Sequence, residues 1–152
     1  MDRESLIRKL DWFYSLELSQ VDLYIAQSQG VEDIYLSRAL QRVAMIEQQH
    51  VDNIAGKIRD LGKEPTRLGD VLAPFLGELA GKASALAGPQ GLLWLDIRLE
   101  EKAMTDYKQF LLKAGGEEGT LDILWNNLID EDLHAAWLAN KLKDLQALTP
   151  KH

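Results

Sequence analysis

The stretch MIEQQHVDNI, residues 45–54, places Glu47 three positions before His50, and IDEDLHAAWL, residues 129–138, repeats that spacing with Glu131 and His134. Residues three apart in a helix lie on one face about one turn from each other, so each pair can close on a single ion. The remaining histidine is the terminal His152, so every histidine in the body of the chain sits in a Glu-x-x-His motif. Glutamate makes up roughly 7% of the chain, and random placement would produce both pairs only about half a per cent of the time. Two pairs alone would leave two ions under-coordinated. A dinuclear centre inside four helices takes one more carboxylate from each remaining helix. Glu17 offers one, and Glu100 or Glu101 the other.

An internal repeat selects between the last two. ELSQVDLY, residues 17–24, and EEKAMTDY, residues 100–107, both separate a glutamate from a tyrosine by seven positions, so Glu100 is the counterpart of Glu17. The same offset, changed by one residue, carries Glu47 and His50 onto Glu131 and His134. The chain therefore reads as a duplicated helical hairpin, each copy supplying one Glu and, some thirty residues later, a Glu-x-x-His. Four carboxylates converging among Leu, Ile and Val would each cost several kcal/mol if unpaired, and mutual repulsion would force most of them to take up protons. Two divalent cations neutralise the set. Carboxylate and imidazole donors without sulfur suit iron or manganese, and zinc or cobalt could occupy the same ligands.

The elements that must position these residues follow from periodicity. Leu6, Leu10, Phe13, Val21, Tyr24 and Ile25 recur at helical spacing, predicting a helix over 3–29 that stops near Gly30. Leu36, Leu40, Val43, Ile54 and Ile58 predict a second over 33–61, with Gly62 placed to end it in the left-handed conformation. Pro89 suits the first position of a third helix over 89–114, which runs to the Gly115–Gly116 break. A fourth over 120–147 carries Leu121, Leu124, Leu128, Leu138 and Leu142 and ends before Pro150. Nothing comparable alternates at period two, so the fold class is all-α. Short connections join the first helix to the second and the third to the fourth, making two antiparallel hairpins. The crossover, residues 62–88, contains Pro65 and Pro74 and then an Ala- and Leu-rich run with the composition of a shorter helix. Its length is enough to travel the roughly 40 Å of a bundle helix, so the expected architecture is an antiparallel four-helix bundle with one long crossover.

Composition sets the outer bounds. A chain of 152 residues is the size of one domain with a full core, and a single domain over 1–152 is expected. There is no cysteine, which excludes disulfides, thiolate ligands and a built-in iron–sulfur centre. A net charge of −7 offers no basic face to neutralise phosphates, so no nucleic-acid partner is expected. No apolar run approaches a membrane span and MDRESLIRKL has no signal-peptide core, so no membrane partner and a cytoplasmic location are expected.

At Glu17, Glu47, His50, Glu100, Glu131 and His134 the chain resembles the ferritin-like di-iron carboxylate superfamily, in particular its rubrerythrin and bacterioferritin branch, over about residues 3–147. The resemblance implies a cofactor of two iron ions, with Glu47, His50, Glu131 and His134 as terminal ligands and Glu17 and Glu100 as bridging carboxylates. It also implies oxidation of bound Fe(II) by O2 or hydrogen peroxide, as in a rubrerythrin-like peroxidase or ferroxidase. Iron storage of the ferritin type and substrate hydroxylation are the alternatives within the superfamily. Rubrerythrins resemble this chain but carry a further glutamate three residues beyond the third-helix ligand. Ala103 stands there, and Gln20 occupies the matching place in the first helix. No rubredoxin-like domain follows, so a separate electron-donor protein is expected. The fifth short helix of cage-forming ferritins is not apparent either, so a homodimer is expected rather than a shell.

Tyr24, Tyr107 and Gln20 are candidate outer partners of the ligands. The two tyrosines either hydrogen-bond a ligand carboxylate across the bundle or are core aromatics satisfied locally. Met45 reads as packing rather than a haem ligand, and Trp12, Trp94, Trp125 and Trp137 as core or subunit-interface residues. Glu101, Asp130 and Asp132 adjoin ligands but are expected to be solvated, and Gln48 and Gln49 to face away from the site.

Overall fold

A computed structural model describes residues 1–86, 88–115 and 117–149, the side chain of Glu118 excepted. Gly116, Pro150 and His152, and Ala87 of the crossover, lie outside the described residues. Five helices follow in order: α1 Arg3–Gly30, α2 Ile34–Asp60, α3 Ala73–Ser84, α4 Pro89–Lys113 and α5 Glu118–Leu148. The helix ends have local causes. The carboxylates of Asp2 and Asp33 accept from the backbone N–H groups of Ser5 and Leu36, capping α1 and α2. At the other end of α2, Gly62 has φ +78° while its N–H reaches Arg59 O and that of Lys63 reaches Ile58 O. This is the paired closure that a left-handed glycine permits, as the sequence predicts. Pro89 opens α4, also as expected. α5 begins at Glu118, two residues before the expected start, because Glu117 accepts from Thr120 N and serves as its cap.

α1 packs along α2 and α4 along α5, giving the two expected hairpins. The crossover is tied to the outside of α1. Thr66 N–H donates to Asp11 and Leu68 N–H to Ser15 Oγ, both at 2.8 Å, and Arg67 pairs with Asp22 at 2.8 Å. It then forms α3, with Leu72 buried immediately before the helix and Phe75 and Leu76 packed on the core. The start of α4 sits hard against the end of α3. A Cβ at Gly91 would come within 2.4 Å of the Ala83 carbonyl, so only glycine permits this approach.

The core is split in two by a polar layer. Below it lie Leu10, Phe13, Leu16, Ile54, Ile58, Leu99, Phe110, Leu124 and Leu128, with the Phe13 ring stacked on Tyr107 and Phe110 across α1 and α4. Above it lie Leu36, Leu40, Val43, Leu93, Leu138 and Leu142. Every bundle helix passes from one cluster to the other, and each crosses the intervening layer at a predicted ligand. No helix among the described residues is long and apolar enough to cross a membrane.

Candidate metal centre

The six predicted residues meet in this layer. Glu17, Glu47, Glu100 and Glu131 have no measurable exposure, and His50 and His134 are 1% and 6% exposed. Their donor atoms form two groups, Glu17, Glu47, His50 and Glu131, and Glu47, Glu100, Glu131 and His134. Within each group the atoms lie within 4.8 Å of one another, the reach of one ion. Both imidazoles turn Nδ1 inward. His50 Nδ1 is 3.0 Å from Glu47, 3.3 Å from Glu131 and 3.4 Å from Glu17. His134 Nδ1 is 3.1 Å from Glu47 and 3.7 Å from Glu100.

This arrangement corrects one expectation. Glu47 and Glu131 belong to both groups, whereas Glu17 and Glu100 each belong to one. The carboxylates common to both groups are therefore those of the Glu-x-x-His motifs, so with two ions bound Glu17 and Glu100 would be terminal, the reverse of the roles the resemblance suggested. The cause lies in the helix pairing. α2 packs on α5 as well as on α1, and α5 on α2 as well as on α4, so the two Glu-x-x-His helices meet each other between the hairpins.

Both oxygens of Glu47 and of Glu131, Glu100 Oε2 and both ring nitrogens of His134 are buried without a partner in hydrogen-bonding geometry. Native interiors leave few such atoms, because each costs on the order of 1–3 kcal/mol. Six of the seven, all but His134 Nε2, belong to the inward-facing donor set, and all six are of types that ligate hard or borderline cations and fit a pair of divalent ions.

The surroundings hold these donors in place. Tyr24 donates its hydroxyl to Glu100 and Tyr107 to Glu17, each across the α1–α4 seam, so both tyrosines are partners of the terminal carboxylates. Asn127, which the sequence reading did not single out, donates to the Tyr107 hydroxyl at 3.1 Å. Gln20 is fully buried one turn beyond Glu17, and neither of its amide atoms has a partner. Asp130 refines a second expectation. Its side chain is 38% exposed, as expected of a solvated residue, yet it also lies 2.8 Å from His50 Nε2, and since a carboxylate only accepts, the ring must donate Nε2–H. With a metal bound, the ring would present its Nδ1 lone pair to the donor set while Asp130 holds the Nε2 proton. Asp130 adjoins Glu131 in sequence, but its bond to a histidine of another helix appears only when α2 and α5 are packed.

Glu101, Asp132, Gln48 and Gln49 are exposed, as expected. Met45 is 57% exposed and Trp125 53%, so neither is a core side chain, while Trp12, Trp94 and Trp137 are partly buried on the two clusters.

In the metal-free chain the layer stores protons. Burial pushes Glu17 up to about 8, and burial followed by repulsion from Glu100, Glu47 and Glu17 pushes Glu131 well above the carboxylate range. Burial opposes ionisation of Glu47 too, but His134 and His50 at its oxygens hold it below that range. Burial likewise opposes charge on the imidazoles. Glu17 and its neighbours raise His50 above the usual range regardless, and Glu100 and Glu47 raise His134 to about 10. An ionised Glu47 between two imidazolium rings holds protons where cations would bind, and bound metals would displace them.

The family model described as ferritin, ferritin-like domain, matches residues 15–148. This chain belongs to the ferritin-like family. The match is to the ferritin-like domain as a whole and does not single out the rubrerythrin branch. Among solved structures, a bacterioferritin from Desulfovibrio desulfuricans superposes with a TM-score of 0.80 at 22% identity, covering 96% of this chain and 82% of that one. That crystal form contains a diiron site reduced in solution and allowed to reoxidise before crystallisation. At this identity the likeness establishes the ferritin-like fold, with the bundle and crossover expected from sequence. No curated protein matches the chain in sequence.

Proposed function

We propose that this ferritin-like protein binds two Fe(II) ions in the layer between its two apolar clusters and oxidises them, a ferroxidase step serving iron uptake of the bacterioferritin type. The ligands are Glu17, Glu47, His50 and Glu131 for one ion and Glu47, Glu100, Glu131 and His134 for the other. The observation that carries this reading is the set of buried, unpartnered carboxylate oxygens shared between two donor groups. Each Fe(II) gives up one electron. With O2 as oxidant, the two electrons and two protons yield hydrogen peroxide; with hydrogen peroxide, they yield two waters. The chain's own part is to gather the ions, hold the terminal carboxylates through Tyr24 and Tyr107, and exclude bulk water. The setting is taken to be cytoplasmic, with a second copy of the chain as partner and a separate electron-donor protein where iron must be re-reduced.

The likeness to a bacterioferritin favours iron handling over a rubrerythrin-type peroxidase, and Ala103 in place of a further glutamate points the same way. A small apolar cavity touches His134 but none of the four glutamates, which gives little support to substrate hydroxylation. Anaerobic titration with Fe(II), followed by mixing with O2 or peroxide, tests the proposal. Two irons per chain and rapid growth of ferric absorption are expected. A Glu131→Ala variant that binds iron as the parent does would sink the ligand assignment. Size-exclusion mass then separates roles: a large shell supports storage, and a dimer restricts the protein to oxidation without a mineral store.

A further inference from the structure

The duplication that builds the centre breaks at one position. Asp130 directly precedes Glu131, and its counterpart, directly preceding Glu47, is Ile46. The consequence is visible at the two imidazoles. His50 donates Nε2–H to Asp130 at 2.8 Å. His134 Nε2 is buried with no partner, and the residue lines a cavity of about 180 Å³ together with Ala39, Arg42, Val43, Ile46 and Trp137. None of those side chains is a hydrogen-bond acceptor, since arginine and tryptophan only donate. An imidazole presents Nδ1 to a metal when its proton is held on Nε2, and a carboxylate there both fixes that tautomer and makes Nδ1 a better donor. His50 is oriented in this way and His134 is not.

We propose that the two metal positions are unequal: the ion held by Glu17 and His50 binds first and tightly, and the ion held by Glu100 and His134 binds second and weakly, because Ile46 stands where a carboxylate would orient His134. The inference rests on the metal-binding reading above. Loss of such an outer partner typically lowers metal affinity about 10–100-fold, which sets the expected separation of the two steps.

Electrostatic repulsion between two adjacent cations also produces two steps, but without choosing a histidine, so the test must report on each ring. The chain has only three histidines, which makes ring-nitrogen NMR of the whole protein tractable during titration with Zn(II), a diamagnetic probe. At one equivalent the His50 signals should shift to their bound positions while those of His134 stay in place, and the second equivalent should move His134. Ile46→Asp should tighten the second step about 10-fold or more and leave the first unchanged, with Ile46→Asn as the variant that adds a neutral acceptor. Asp130→Asn should weaken the first step until the two histidines fill together. Both rings shifting in parallel in the parent, or an unaltered second step in both Ile46 variants, overturns the inequality while two bound ions keep the metal centre. Fewer than two ions bound at saturation overturns the centre and the inequality with it.

Discussion

Glu47 and Glu131 are the two shared carboxylates, yet their states without metal differ, and replacing each by glutamine should separate charge from coordination. Glu131 is held protonated by burial and by its acidic neighbours, so a neutral isosteric amide should leave the metal-free fold within about 1 kcal/mol of the parent. Glu47 is the ionised member, with its oxygens 3.0 and 3.1 Å from His50 and His134, and Glu47→Gln leaves two buried imidazolium groups without their common counter-charge. Breaking a buried pair by removing one partner costs about 3–5 kcal/mol, which at about 2–4 °C per kcal/mol for a domain of this size is a fall in Tm of roughly 6–20 °C. Metal titration should show the opposite grouping. Each shared glutamate contributes to both ions, so both variants should lose high-affinity binding at both positions, whereas Glu17→Gln should lose it at one. Circular-dichroism melts of the metal-stripped proteins and an anaerobic Fe(II) isotherm make the comparison. The reasoning is refuted if Glu131→Gln melts as low as Glu47→Gln, or if either variant still takes up two irons with parental affinity.

Four further outcomes are expected. Glu17, raised from 4.5 to about 8, and His134, raised from 6.5 to about 10, bind more protons folded than unfolded, so the metal-free protein should lose stability as pH rises from about 5 to 10. A Tm that rises over that range contradicts the proton inventory. The same protons must leave when metal enters, so binding should tighten with pH and acidify a weakly buffered solution, as an indicator dye would read. Gln20→Leu removes a fully buried amide with no partner and should raise metal-free stability by about 1–3 kcal/mol in urea unfolding, and a lower midpoint would mean that the amide is satisfied. Tyr107→Phe should cost more stability than Tyr24→Phe, because it orphans Asn127 as well as Glu17, and equal unfolding midpoints would place Asn127 outside the network.

Much of this protein was legible in its sequence because helices impose a fixed periodicity on both the core and the site. The spacing of Leu, Ile and Val marked four bundle helices, Gly62 and Pro89 marked two of their ends, and the length of the crossover required the hairpin-crossover-hairpin order. The helix α3 inside that crossover was legible only as composition, since its packing against the start of α4 depends on the contact at Gly91. The six residues that meet in the polar layer were legible through repetition: a Glu-x-x-His pair carries little meaning alone, and its duplication with a matched Glu and Tyr carries a great deal.

The roles within that set were decided only by tertiary structure. Spacing along one helix states which side chains share a face, and it is silent on which neighbouring helix that face meets. For this reason Glu47 and Glu131 emerged as shared carboxylates only once α2 and α5 lay side by side, and Asp130 passed for a solvated neighbour of Glu131 until packing set it against His50. The same juxtaposition gives Ile46 its meaning. In sequence it is an ordinary apolar residue of an amphipathic helix, and in the folded bundle it is the missing acceptor of His134.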